Sequence, residues 1–257
     1  MNPFITPEWP APQHVKAYST QRYPGESLGV YAGLNLGLHV GDNEENVLAN
    51  RQSLILNANL PESPRWLNQV HGNAVVLAET VSSDLASKNS ETTSADAAYT
   101  QKKETVCVVM TADCLPILLT NKEGTEVAAV HAGWRGLAAG IIEQTLSTLK
   151  SDASSLLAWL GPSISWPHYE VDESVYSCFA QTHTTKECEQ AFILKSNKPR
   201  WLANIPLLAQ QQLIRYGVQI NNIYLSHECT YAHPEHYFSY RRDGVTGRMA
   251  SLIWLAD

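Results

Sequence analysis

Thr105-Val106-Cys107-Val108-Val109-Met110-Thr111-Ala112-Asp113-Cys114-Leu115-Pro116-Ile117-Leu118-Leu119-Thr120 is followed closely by Val127-Ala128-Ala129-Val130-His131-Ala132-Gly133-Trp134-Arg135-Gly136. Val106 to Met110, Pro116 to Thr120 and Val127 to His131 are short apolar runs rich in β-branched residues, and they predict three successive buried strands. The chemically unusual residues fall at the breaks. Cys114 follows the first run, two residues before a proline that takes helical freedom from Leu115, and His131 closes the third. If the second and third strands pair as neighbours, both side chains emerge at one end of the sheet.

Working outward, Ala74 to Leu77, Leu156 to Leu160 and Asn222 to Leu225 carry the same strand signal. Leu137, Ile141, Ile142, Leu146 and Leu149 recur at helical spacing between Gly136 and Lys150, as do apolar positions from Ile205 to Tyr216. Asp172 to Gln181 predicts a third helix with Asp172 as its cap. Adjacent strands on short loops with a few interspersed helices predict an α+β fold, a mixed sheet flanked by helices, in place of a regular βαβ series. With 257 residues the chain suits a single domain over 1–257. The polar stretch from Thr80 to Thr100 is expected to contain a surface excursion. Gly29, Gly33, Gly37 and Gly41 recur every fourth residue, interrupted by Asn35, His39 and Asp42; this pattern predicts a turning backbone loop near a ligand, since repeated glycine weakens a soluble helix.

Composition narrows the function. A hydrophobic fraction of 44% with 17% charged residues is that of a globular protein. A net charge of -7 gives no basis for holding a long polyanion, which requires clustered Lys and Arg. No apolar run approaches the roughly 20 residues of a membrane span, and the amino terminus lacks the basic and apolar segments of an export signal. Five cysteines without CxxC spacing suit a reducing cytoplasm better than a disulfide framework. Neither GxGxxG nor GxxxxGK[ST] occurs, and the H-x-E with P-C-x-x-C signature of zinc deaminases is also missing.

Cys114, His131 and an upstream His71 in Asn68-Gln69-Val70-His71-Gly72 therefore stand out. A thiol and two imidazoles form either a Zn²⁺ site with one open position or a Cys/His nucleophile pair. Spacing alone does not choose between them. Arg135, ahead of the predicted helix at Gly136, is a candidate anion ligand together with that helix start. Tyr237-Phe238-Ser239-Tyr240-Arg241-Arg242-Asp243 either stacks on and clamps a nucleobase or phosphate, with Arg241 as the cation, or forms a partly buried strand.

Six ordered segments together resemble the YfiH family of laccase-domain proteins. They are Leu34-Asn35-Leu36-Gly37 with His39 to Asp42, Asn68 to Gly72, Thr111 to Pro116, His131 to Gly136, Gly161-Pro162 with Tyr169 to Val171, and Cys229 to Tyr231 through Tyr237 to Arg242 and Thr246 to Ser251. The chain departs from the family pattern at Arg22-Tyr23-Pro24-Gly25-Glu26-Ser27 and at Gly33. The resemblance implies an α+β fold similar to cysteine-hydrolase-like toxin domains. It also implies zinc, with copper as the alternative metal, held by His71, Cys114 and His131. The activity implied is phosphorolysis of adenosine, inosine and methylthioadenosine, with adenosine deamination beside it. Asn35, Arg135 and Arg241 become the candidate substrate and phosphate contacts. Expected partners are small molecules, purine nucleosides and phosphate, with no nucleic acid or membrane, in a monomer or homodimer. The competing readings are a copper-dependent polyphenol oxidase and a Cys/His hydrolase that edits peptidoglycan precursors.

Overall fold

The computed structural model describes residues 4–86, 93–195 and 200–257. In chain order the strands and helices are β1 (Phe4–Ile5), β2 (Val15–Thr20), α1 (Glu44–Asn57), β3 (Val75–Leu77), β4 (Ala97–Thr100), β5 (Cys107–Thr111), β6 (Leu115–Asn121), β7 (Val127–Ala132), α2 (Trp134–Ala138), α3 (Ile141–Thr148), β8 (Leu156–Leu160), β9 (Glu170–Asp172), α4 (Glu173–Ala180), α5 (Thr185–Ala191), β10 (Phe192–Leu194), β11 (Arg200–Ala203), α6 (Ile205–Arg215), β12 (Ile223–Leu225), α7 (Tyr240–Asp243) and β13 (Met249–Leu255). A six-stranded sheet runs β12-β8-β6-β7-β4-β3, a four-stranded sheet runs β1-β2-β13-β5, and a smaller three-stranded sheet runs β10-β11-β9. The first is mixed, with β12/β8 and β3/β4 parallel and its inner pairs antiparallel; the second is antiparallel.

The uniformly apolar run that opens the sequence is explained by the burial of β5, β6 and β7 along their whole length, on both faces. Leu115, Ile117 and Leu119 of β6 pack with Ile141, Leu208 and Leu213 beneath the helices. Leu118 faces the other way, against Cys107 and Val109 of β5 and Ile253 of β13, so the two sheets meet there. The alternate residues Val108, Leu252 and Trp254 turn to a third cluster with Leu54 of α1. The result is an α+β stack in which the two larger sheets have helices on their outer faces.

All six strand segments expected from sequence are found, and Asp172 caps α4 by accepting from the backbone N–H of Ser174 and Val175. The helix expected from Gly136 to Lys150 is split: Gly140 adopts a left-handed φ of +85° between α2 and α3, a conformation that interrupts helical bonding and suits glycine. Because α2 begins at Trp134, Arg135 lies inside a helix and not ahead of one. Tyr237 to Asp243 forms no strand; its end is the short helix α7, capped by the Ser239 hydroxyl. Within the polar stretch Thr80 to Thr100, residues 87–92 lie outside the described residues, and Ala97–Thr100 is a strand inside the mixed sheet. No helix among the described residues is long and apolar enough to cross a membrane.

Candidate active site

Antiparallel pairing of β6 with β7 sets Leu115 opposite Ala132 and Pro116 opposite His131. Cys114, one residue before β6, therefore emerges beside His131 at one sheet end. His71 arrives from the turn before β3, and the ligand atoms of His71, Cys114 and His131 all lie within 4.8 Å of one another. Cys114 Sγ is 3.9 Å from His71 Nε2, and the two imidazole rings meet edge to face at 4.8 Å. The three residues line a cavity of about 430 Å³ whose walls include His39, Gln69, Tyr240 and Arg248.

Two buried carboxylates hold this arrangement, and neither was singled out in the sequence. Asp96, just before β4, accepts His131 Nδ1 at 2.7 Å and the backbone N–H groups of Val70, His71 and Gly72 at 3.2, 2.9 and 2.7 Å. It thus closes a turn in which His71 has a left-handed φ of +60°, which costs a non-glycine residue on the order of 1–2 kcal/mol. By engaging Nδ1 of His131, Asp96 leaves Nε2 as the atom available for coordination. Asp113, with φ of +91°, aims Cys114. Its carboxylate accepts the Thr230 hydroxyl and the backbone N–H of Arg241, both at 2.7 Å, and its carbonyl accepts Ile164 N–H at 2.9 Å.

The electrostatics separate charge within the triad. Burial works against ionisation of Cys114, but His131 and His71 beside it bring the thiol down to about 6. Burial likewise opposes protonation of His131, yet the Cys114 thiolate and the Asp96 carboxylate raise it to about 9. The mutual influence of Cys114 and His131, with Asp96 behind the imidazole, thus favours a thiolate beside an imidazolium. His39 behaves oppositely: burial and the charges of Arg248 and Arg51 press it down to about 4, so it is neutral at pH 7.

A family model described as multi-copper polyphenol oxidoreductase laccase matches residues 16–256. The chain is 47% identical over 255 residues to the Escherichia coli protein named purine nucleoside phosphorylase YfiH, covering 99% of this chain and 100% of that protein. The chain belongs to the YfiH family. Another member, the purine nucleoside phosphorylase of Pseudomonas aeruginosa, is 41% identical, with both chains covered in full. The crystal structure of a Neisseria meningitidis relative superposes with a TM-score of 0.89 at 42% identity, over 99% of this chain and 100% of that one.

The donor set present in this YfiH-family chain fits one ion. A thiolate and two imidazoles on one cavity wall are a donor set that would suit a zinc ion. The family model's description speaks of several coppers, but among the described residues the triad is the one His/Cys/Asp/Glu group compact enough for a metal. Gly133 lets the donors close up: its φ of −70° would accept any residue, but a Cβ there would lie 3.1 Å from both Cys114 Sγ and His71 Cδ2. Gly133→Ala is therefore expected to weaken metal binding about tenfold while leaving the metal-free fold intact. Competition with a chelator checks this, and an unchanged affinity would mean that the donors have slack.

The three other candidate contacts sit elsewhere. Asn35 is fully buried, with Oδ1 accepting the N–H of Gly37 and Arg248 and Nδ2 donating to Asp42. It shapes the glycine loop and does not line the cavity. Arg135 is exposed, its guanidinium 4.4 Å above the Trp134 ring. The Arg241 guanidinium bonds the Glu170 carbonyl and lies over Tyr169; it is the backbone N–H of Arg241 that serves the site, through Asp113. The glycine loop does approach the cavity, delivering His39 to its wall. Its four-residue spacing suggested a turn but gave no hint of which residue would face inward.

Proposed function

We propose that the chain is a purine nucleoside phosphorylase in which His71, Cys114 and His131 hold a zinc ion. Adenosine, inosine and methylthioadenosine are its substrates, and adenosine deamination is a side activity. The observation that carries this reading is the His/Cys/His triad on a cavity of about 430 Å³, within a chain nearly half identical to a protein named for that reaction. The volume lies in the range of small-molecule sites. Five free cysteines, Cys107, Cys114, Cys178, Cys188 and Cys229, suit work in the cytoplasm.

In phosphorolysis the bond from ribose C1′ to the purine nitrogen breaks, the base leaves with the electron pair and gains a proton, and a phosphate oxygen bonds C1′. In deamination a water oxygen replaces the amino group at C6, which leaves as ammonia. A bound zinc ion supplies Lewis acidity, polarising a substrate atom or making water more acidic. The chain supplies the rest. Asp96 fixes the His131 ring and the His71 turn, and Asp113 fixes the backbone that carries the sulfur.

The reading predicts release of hypoxanthine from inosine with an equal amount of ribose 1-phosphate, dependent on added phosphate. Turnover that continues unchanged in phosphate-free buffer would sink it. Ammonia release from adenosine without phosphate tests the side activity separately.

A further inference from the structure

We infer that Arg248 is the anion ligand of the cavity and, on the phosphorolysis reading above, the residue that binds inorganic phosphate. Three independent features converge on it. Its backbone is locked: the N–H donates to Asn35 Oδ1 at 2.9 Å, and its side chain packs where a Cβ on Gly37 would lie 2.9 Å from its Cγ. Its fork is half used. Nη1 donates to the Thr246 and Gly247 carbonyls, each at 3.0 Å, whereas Nε and Nη2 have no acceptor among the described residues and are not among the solvent-excluded unpaired atoms. Arg248 is part of the cavity wall, and the Nε and Nη2 edge of a guanidinium is the fork that binds a tetrahedral oxyanion through two parallel bonds.

The third feature is charge. Among the described residues neither Arg248 nor the nearby Arg51 makes an ion pair. Arg51 is fully buried, bonded to the Leu36 and Leu85 carbonyls, and set 3.9 Å over Trp66. Both charges are felt at His39 in the cavity wall. Arg248 is partly buried, and an anion bound in the cavity offsets the cost of holding its charge there. Arg135 and Arg241, the two arginines nearest the motifs, have no such exposure to the cavity.

The test uses metal-loaded protein with inorganic phosphate as the probe, measured by calorimetry and by steady-state kinetics on inosine. Arg248→Gln is expected to raise the phosphate Kd and KM by about 10- to 100-fold while the inosine KM stays within about threefold, with Arg248→Lys recovering part of the loss. Arg135→Gln should leave phosphate binding as in the wild type. Wild-type affinity in Arg248→Gln, or loss of affinity in Arg135→Gln instead, overturns the assignment. If Arg248→Gln fails to fold, phenylglyoxal labelling of the wild type decides: phosphate should protect Arg248, and protection falling on another arginine overturns the inference. Phosphate bound through Arg248 without any base release would uphold the subsite and refute phosphorolysis. No phosphate binding by folded wild type would refute the subsite whatever the turnover.

Discussion

Cys114→Ser is expected to abolish stoichiometric metal binding and to lower kcat/KM for inosine by about 1000-fold or more, since the Lewis acid contributes several kcal/mol at roughly 1.4 kcal/mol per tenfold. In the proposed zinc site the sulfur would be the donor that selects the metal, because a hydroxyl is neither ionised at neutral pH nor soft. Burial pushes the Cys114 thiol up, but the two histidines pull it down, which favours the ionised donor. The fold should survive the change. Asp113 holds the local backbone through Thr230, Arg241 and Ile164, and none of these contacts uses the sulfur. Elemental analysis alongside a thermal melt separates loss of metal from loss of structure.

The same thiolate beside a protonated His131 has the form of a nucleophile pair, the specific observation behind a hydrolase reading. Iodoacetamide distinguishes the roles. In metal-free protein Cys114 should react faster than Cys178, the other partly accessible thiol, and metal loading should shield Cys114 alone. A Cys114→Ser protein that keeps one metal per chain yet loses all turnover would make the sulfur a nucleophile. One that keeps both metal and turnover would remove Cys114 from the chemistry.

The strands around this site were legible because burial on both faces leaves a continuous apolar run, as in Val106 to Met110. The meeting of Cys114 and His131 followed from neighbour pairing alone. Other parts were hidden for physical reasons. Helix α1 buries Asn50 and Arg51 beside Val47 and Leu54, so its inner face does not show apolar periodicity. Asn50 and Arg51 point instead at carbonyls of the glycine loop, contacts between segments that sequence spacing cannot reveal. Arg135 looked like a helix-start cation because Gly136 resembled a boundary, yet the chain turns helical directly after Gly133. Arg248 gave the opposite impression: one cation in a C-terminal motif, with no local sign that Gly37, over two hundred residues earlier, leaves room for it. Asp96 lies in a stretch whose polarity suggested solvent, although its carboxylate is fully buried.

Asp96→Asn should have the second largest effect, acting on the metal and the fold together. The carboxylate receives four N–H groups, one from His131 and three from consecutive residues 70–72. Burial works against its ionisation, but His131 and the Gly72 and His71 amides prevail and hold its pKa below the usual carboxylate value. An asparagine offers one accepting oxygen and turns an NH₂ toward groups that are themselves donors. Breaking such a buried charged network costs about 3–5 kcal/mol, which in a protein of this size lowers Tm by roughly 10 °C. Metal affinity should fall about 10- to 100-fold, the range for losing the partner that orients a ligating histidine. Because Asp96 touches the ligands and not the substrate, excess metal should restore much of kcat in Asp96→Asn and none in Cys114→Ser. That recovery identifies positioning, since a residue acting directly on the reacting bond would leave kcat low at any metal concentration. If Asp96→Asn melted within about 2 °C of wild type and bound metal equally well, the His71 turn would have to hold its left-handed backbone unaided, against the strain that its φ of +60° imposes.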